Sequence, residues 1–95
     1  MFIILTPSPN PKKKFRVSID GKNIDFGANG YSDYTINRDD IRKNAYIVRH
    51  HKRENWNNPL TAGFWSRWLL WNKPTLMASI KDLSKRMNTK IFYYP

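Results

Sequence analysis

Apolar and polar residues alternate along KFRVSIDGKNIDFG, residues 14–27, around a central Asp20-Gly21. Asp-Gly is favoured in two-residue hairpin turns because both positions take positive φ. The turn sets one register, in which one face is apolar and the other carries a pair of opposite charges. The predicted cross-strand pairs are Phe15 with Phe26, Arg16 with Asp25, Val17 with Ile24, Ser18 with Asn23, and Ile19 with Lys22.

Short apolar runs lie near both ends of the chain. Residues 2–5 (FIIL) predict a short strand, and residues 91–94 have a strand-like composition, so both are candidates to extend the hairpin sheet. Between the first run and the hairpin, TPSPNPKKK contains three prolines and favours an extended segment. We therefore expect residues 1–14 to form an extended arm and residues 15–95 a single domain.

Helical periodicity begins after the hairpin. Asn37 is the expected N-cap of a first helix that reaches about Arg53, with acidic residues in its first turn. Ile41, Ala45 and Val48 recur at the spacing of a helix and predict its buried face. The preceding loop, GANGYSDYT, is either a binding loop or a hinge whose tyrosines fill the core.

A second helix is predicted over AGFWSRWLLWN, with Thr61 as its cap. The spacing of an α-helix places Phe64, Trp68 and Trp71 inside and leaves Trp65 at an edge. Three interpretations stay open for these aromatic residues: core, protein interface, or platform for stacked bases. The core interpretation is favoured because helical spacing scatters the rings around the axis.

Pro74 is predicted to open a third helix. Its apolar residues recur at i, i+4, i+7 and i+11, which predicts a buried stripe. That stripe consists of Leu76, Ile80, Leu83 and Met87. The expected fold class is therefore α+β, with an N-terminal β-hairpin in a small antiparallel sheet packed on about three helices.

The net charge of the chain indicates a class of partner, which the apolar pattern does not. The 95 residues include 17 Lys and Arg against 7 Asp and Glu, a formal net charge of +10. Such an imbalance indicates a polyanionic or acidic partner, with nucleic acid ahead of an acidic protein surface and anionic lipid. A charge that serves only solubility is the alternative. The chain has no cysteine, which excludes disulfides and thiolate chemistry.

The first helix carries the candidate binding residues. Arg42, Tyr46, Arg49 and Arg53 form a second stripe at helical spacing, beside the apolar one. Arginine grips phosphate with two parallel hydrogen bonds, and a tyrosine among arginines can stack or donate a hydrogen bond. A solvated basic helix face is the competing interpretation. The remaining candidate nucleic-acid-binding residues are Lys12, Lys13, Lys14 and Arg38.

Catalysis has little support in the sequence. His50 and His51 are adjacent, so on a helix they point about 100° apart and cannot easily share a metal ion. No carboxylate pair has a catalytic spacing, and no glycine-rich phosphate loop is present. We expect neither enzymatic activity, nor a metal, nor a cofactor. No apolar stretch approaches the roughly 20 residues of a membrane-spanning helix.

Three segments together resemble a family of short, uncharacterised basic proteins from nucleocytoplasmic large DNA viruses, including giant amoebal and algal viruses. These segments are KKKFRVSIDGKNIDFGANGYSDYT, RHHKRENW and TAGFWSRWLLWNKPTLMASIKD, and the likeness extends over residues 12–86. The resemblance implies a viral origin and carries no catalytic or binding residues over to this chain.

A large DNA virus needs small basic proteins for two tasks. The first is to neutralise its genome, which predicts a virion-associated protein that binds phosphate with little sequence specificity. The second is to cement its capsid, with the N-terminal arm and the aromatic helix wedged between larger coat proteins. Either task places the protein in the virion, and in the host cytoplasm or nucleus during infection. We expect the first.

Overall fold

The hairpin forms as its turn chemistry predicts. A computed structural model describes residues 2–95, in which strands β2 (Lys13–Ile19) and β3 (Lys22–Ala28) pair antiparallel. All five predicted cross-strand pairs are present. Asp20 and Gly21 have φ of 49° and 74°, and the Arg16 guanidinium donates to the Asp25 carboxylate at 2.8 Å. Local sequence is sufficient to set this register because the turn admits no other.

Two more strands complete a mixed four-stranded sheet. Strand β1 (Phe2–Pro7) pairs antiparallel with β2, and β4 (Lys90–Tyr93) pairs parallel with β1, so the order is β3-β2-β1-β4. The expected strands near both ends of the chain are confirmed. The expected arm over residues 1–14 is wrong, because residues 2–7 lie inside the sheet and a turn leads directly into β2. Met1 lies outside the described residues.

Within residues 2–95, four helices accompany the sheet, which confirms the α+β class. They are α1 (Tyr34–Asn37), α2 (Asp40–His50), α3 (Ala62–Trp65) and α4 (Leu76–Met87). A π-helical turn, Ser66–Leu70, continues directly from α3.

The predicted starts of the first and third helices are wrong, and the predicted cap of the second is confirmed. Asp39, rather than Asn37, caps α2, and its carboxylate accepts from the backbone N–H groups of Ile41 and Arg42. Pro74 stands before the cap residue Thr75 and does not open α4. The Thr61 hydroxyl accepts from the Phe64 N–H as expected.

The core lies between one face of the sheet and the layer formed by α3, the π turn and α4. Trp65 is fully buried at its centre, beside Phe26 and Phe64. Phe64 is buried as predicted, whereas the prediction that Trp65 lies at an edge is wrong. Trp68 and Trp71 are partly buried and pack against the core. The predicted apolar stripe of α4 faces this core. The core members are Ile3, Leu5, Val17, Ile19, Phe26, Phe64, Trp65, Leu69, Leu70, Ile80 and Leu83.

The π turn breaks the α-helical spacing between the residues before it and those after it. The Trp71 N–H donates to the Ser66 carbonyl at 3.1 Å, an i to i+5 hydrogen bond. In an α-helix the Ser66 carbonyl would accept from the N–H of the fourth residue along the chain, whereas here it accepts from the fifth. The extra residue in the turn shifts the phase of the side chains, and it brings Trp71 over α2.

The buried face of α2 is not the one that the apolar pattern predicted. Tyr46 is buried, whereas Ile41 and Val48 are 80% and 68% exposed and Ala45 is also exposed. Tyr46 is far larger than any residue of the apolar stripe, and Trp71 offers it a flat partner. Its burial therefore outweighs that of two aliphatic side chains at the surface.

Two isoleucines on helices allow this orientation to be tested. Ile41→Ala is expected to change the free energy of unfolding by no more than about 0.5 kcal/mol, because the side chain is exposed. Ile80→Ala, at a position 7% exposed in the core, should cost about 2–5 kcal/mol. Urea denaturation measures both. Equal losses for the two variants would mean that the apolar stripe of α2 is buried in solution.

Candidate nucleic-acid interface

A cleft separates α2 from the sheet edge formed by β3 and the start of β2. Its volume is about 560 Å³. Lys13 and Lys14 approach from β2, whereas Arg42 and Arg49 approach from α2. We call this space the basic cleft. It unites two groups of residues that the sequence placed far apart, the lysine run and the arginine stripe.

The floor of the basic cleft is an aromatic stack. Tyr46 and Trp71 lie parallel, with ring centroids 4.6 Å apart and planes within 6°. His50 covers Tyr46 at 4.3 Å. Burial raises the pKa of the Tyr46 phenol well above its ordinary value, and the Glu54 carboxylate adds to the shift. Tyr46 was predicted as a nucleic-acid contact, but it is buried in this stack and supports the helix instead.

Two carboxylates line the basic cleft, and both are occupied by neighbouring donors. Asp33 accepts from the Lys14 ammonium at 2.6 Å and from the Thr35 backbone N–H at 2.9 Å. Glu54 accepts from the His50 ring at 3.2 Å and from the Trp56 indole at 2.8 Å. Lys14 is therefore partly neutralised. Within residues 2–95, Lys13, Arg42 and Arg49 form no ion pair with a carboxylate.

The remaining predicted contacts lie outside the basic cleft. Lys12 and Arg53 are exposed, at the turn before β2 and beyond the end of α2. Arg38 is exposed too, and its Nε donates to the Pro74 carbonyl at 3.2 Å. All three leave a cationic group at the surface, so they can extend a basic face without joining the cleft.

The positive charge of the molecule is largely uncompensated. Of the 17 lysines and arginines, only Lys14, Arg16 and Arg86 pair with a carboxylate in residues 2–95. The acidic side chains mostly serve local structure, as helix caps or hydrogen-bond acceptors. The surplus charge therefore stays available to a partner.

Some cations are structural and do not add to this face. The guanidinium groups of Arg67 and Arg86 each lie 4.5 Å from the Trp68 ring centroid, and Arg67 Nη1 donates to the Trp71 carbonyl at 2.8 Å. Trp68 and Arg86 also line a second cavity of about 310 Å³. Lys43 Nζ donates to the Asn72 carbonyl at 2.6 Å, and burial lowers the pKa of its ammonium.

Two features of the basic cleft escaped the sequence pattern. Tyr31, in the loop after β3, lines the cleft and is 74% exposed, so its side chain does not fill the core. Ser66 and Trp71 reach the cleft through the π turn, for which the sequence offers no recognisable signal.

Residues 2–95 contain neither a metal-binding cluster nor a membrane-spanning helix. Across residues 2–95, no cluster of three or more His, Asp or Glu side chains is arranged to hold a metal ion. His50 and His51 have different partners, the Glu54 carboxylate and the Val48 carbonyl. None of the helices in the same residues has the length and apolar character to cross a bilayer.

The fold and the cleft define a small basic α+β protein with a positively charged concave face. The chain belongs to DUF5754, a family of unknown function whose sequence profile matches residues 3–50. That range includes Lys13, Lys14, Arg42 and Arg49, the four cations of the basic cleft. No curated protein and no solved structure shows a significant match to the chain.

Proposed function

We propose that this protein is a non-enzymatic nucleic-acid-binding protein that contacts the phosphate backbone with little sequence specificity. The observation that carries the proposal is the basic cleft, which gathers Lys13, Arg42 and Arg49 without a carboxylate partner among residues 2–95. Concave surfaces of one charge concentrate the field and draw in polyanions. Arginines suit phosphate because their planar fork donates two hydrogen bonds at once.

The setting we propose is the virion of a large DNA virus, together with the cytoplasm or nucleus of its host during infection. The resemblance of residues 12–86 to small basic viral proteins supports this setting. DNA is the partner we favour over RNA, because neutralising a packaged DNA genome would employ the net charge of +10.

Binding to DNA is expected to weaken steeply with salt and to depend on the cleft. In fluorescence anisotropy with labelled duplex DNA, an Arg42→Gln/Arg49→Gln variant should lose about tenfold in affinity per arginine. The slope of log affinity against log salt should also fall by about 2, as expected for two lost phosphate contacts.

A control variant removes the same charge elsewhere. Lys81 and Lys85 are exposed on α4 and do not line the cleft, so Lys81→Gln/Lys85→Gln should lose much less affinity. Equal losses for both variants would indicate diffuse attraction with no particular surface. Absence of binding at low salt would contradict the proposed function itself.

The alternative is a minor capsid or cement protein. Its expected route through an extended arm has lost support, since residues 2–14 belong to the sheet and its turn. A different feature favours it: the exposed Ile41, Ala45 and Val48 on α2 form an apolar strip that a coat protein could cover. Recovery of the protein in stripped shells but not in released genome cores would support this alternative.

A further inference from the structure

Tyr31 sits on a loop that is fastened to the lysine-bearing turn. The Asn29 backbone N–H donates to the Lys12 carbonyl at 2.9 Å, and the Asn29 side-chain amide donates to the Pro11 carbonyl at 3.0 Å. The Tyr31 N–H donates to the Ala28 carbonyl at 3.3 Å. These bonds hold an exposed aromatic ring at the mouth of the cleft, where little conformational entropy remains to be lost on binding.

The root of this loop is also fixed by close packing. Gly27 has φ of 78°, and a Cβ placed on it would lie 2.8 Å from Cδ1 of Leu70. The end of β3 therefore rests directly on the π turn, which fixes the position from which the Tyr31 loop leaves the sheet. Residues of the sheet, the Tyr31 loop and the π turn all line the basic cleft.

Tyr31 is the aromatic residue of the cleft with the most accessible ring. Both faces of Tyr46 lie close to other rings, at 4.6 Å from Trp71 and 4.3 Å from His50. Trp71 is half-buried beneath them. An aromatic ligand that enters the cleft can therefore stack on Tyr31 while its charged groups reach the cations.

Size and chemistry together select the ligand. A volume of about 560 Å³ lies within the usual ~300–1,000 Å³ of small-molecule sites, so one nucleotide unit fits inside the cleft, whereas a double helix can contact its cations only from outside. A duplex keeps its bases stacked inside and offers only its phosphates. An unpaired strand can offer a base to Tyr31 and phosphates to Arg42 and Arg49.

We propose that the basic cleft binds unpaired nucleic acid, with a base stacked on Tyr31 and the flanking phosphates held by Lys13, Arg42 and Arg49. This inference rests on the proposed function and deepens it. It implies that the protein prefers single strands, or unpaired segments within a genome, to intact duplex. The shared chemistry is an unpaired nucleotide, which either DNA or RNA can supply.

Competition binding tests the inference. A labelled single strand bound to the full-length protein is challenged with unlabelled single-stranded DNA, single-stranded RNA and duplex DNA of equal length. Tyr31→Ala is expected to lower single-strand affinity about 5- to 100-fold, the range of one base–aromatic stack. Duplex affinity should change by less than about twofold, because phosphate contacts alone serve the duplex.

Two control variants sharpen the result. Tyr31→Phe keeps the ring and should keep the affinity, whereas Tyr94→Ala removes another exposed ring that does not line the cleft and should have no effect. Thermal unfolding of each variant checks that the fold is retained, as expected for exposed positions.

The outcomes separate the two proposals. Duplex and single strand bound equally, with Tyr31→Ala unchanged, would overturn the single-strand inference and leave backbone binding in place. No binding to any of the three nucleic acids would overturn both. A preference for RNA or for DNA among the single strands would name the source of the ligand.

Discussion

Trp65→Ala is expected to lower the free energy of unfolding by about 3–5 kcal/mol. Trp65 has no exposed surface, and its ring lies 6.5 Å from that of Phe26 and 5.0 Å from that of Phe64. Its indole N–H donates to the Pro59 carbonyl at 2.7 Å, which holds the loop before α3 against the core.

A loss of that size is a large part of the ~5–15 kcal/mol that stabilises a typical domain. Urea and thermal denaturation, followed by circular dichroism, would measure it. Trp65→Phe should give an intermediate loss, because it fills most of the space but leaves the Pro59 carbonyl without its donor. Phe2→Ala, at a residue that is largely exposed, is the control and should cost little. A loss below about 1 kcal/mol for Trp65→Ala would contradict its place at the centre of the core.

The second prediction concerns the stack beneath the basic cleft. Tyr46→Ala is expected to cost about 3–5 kcal/mol, because it removes the large side chain that seats α2 against Trp71. Loss of that contact releases the helix that carries Arg42 and Arg49, so nucleic-acid affinity should fall as well. Tyr46→Phe retains the stacked ring and should preserve both stability and affinity at pH 7.

The stability of the wild type and of Tyr46→Phe is expected to differ at alkaline pH. Burial raises the pKa of Tyr46, so the folded protein keeps a proton that the unfolded chain loses near pH 10. The contribution of the neutral phenol is therefore complete below about pH 10 and is lost as the pH rises further. Tyr46→Phe lacks this group.

Unfolding curves measured from pH 8 upward would follow this loss in the wild type and in Tyr46→Phe. Stability should decline less steeply in Tyr46→Phe. The raised pKa of Tyr34, which donates to Asp40, is common to both proteins and cancels in the comparison. Identical alkaline profiles would mean that the Tyr46 phenol is not buried in solution.

Sequence pattern succeeded where the decisive interaction is local. The Asp20-Gly21 turn fixed every pair of the hairpin, and the Thr61 cap began α3 where expected. The apolar stripe of α4 also faces the core as predicted, because one wide stripe had no competitor on that helix.

Pattern failed on α2, where two stripes competed. Ile41, Ala45 and Val48 have the spacing of a buried face, yet the buried residue is Tyr46. Tyr46 stacks on the ring of Trp71, which lies 25 residues further along the chain, directly after the π turn. The spacing of residues within α2 therefore cannot predict that Trp71 lies against Tyr46.

The sequence by itself determined the hairpin and its register, the α+β class, the Thr61 cap of α3, and the excess of positive charge. Each of these follows from neighbours in the chain or from composition. Only the tertiary structure decided which face of α2 is buried, which tryptophan fills the core, and that Lys13 meets Arg42 and Arg49 around one cleft. Those outcomes depend on the packing of residues distant in sequence, such as Trp71 on Tyr46, which no local pattern reports.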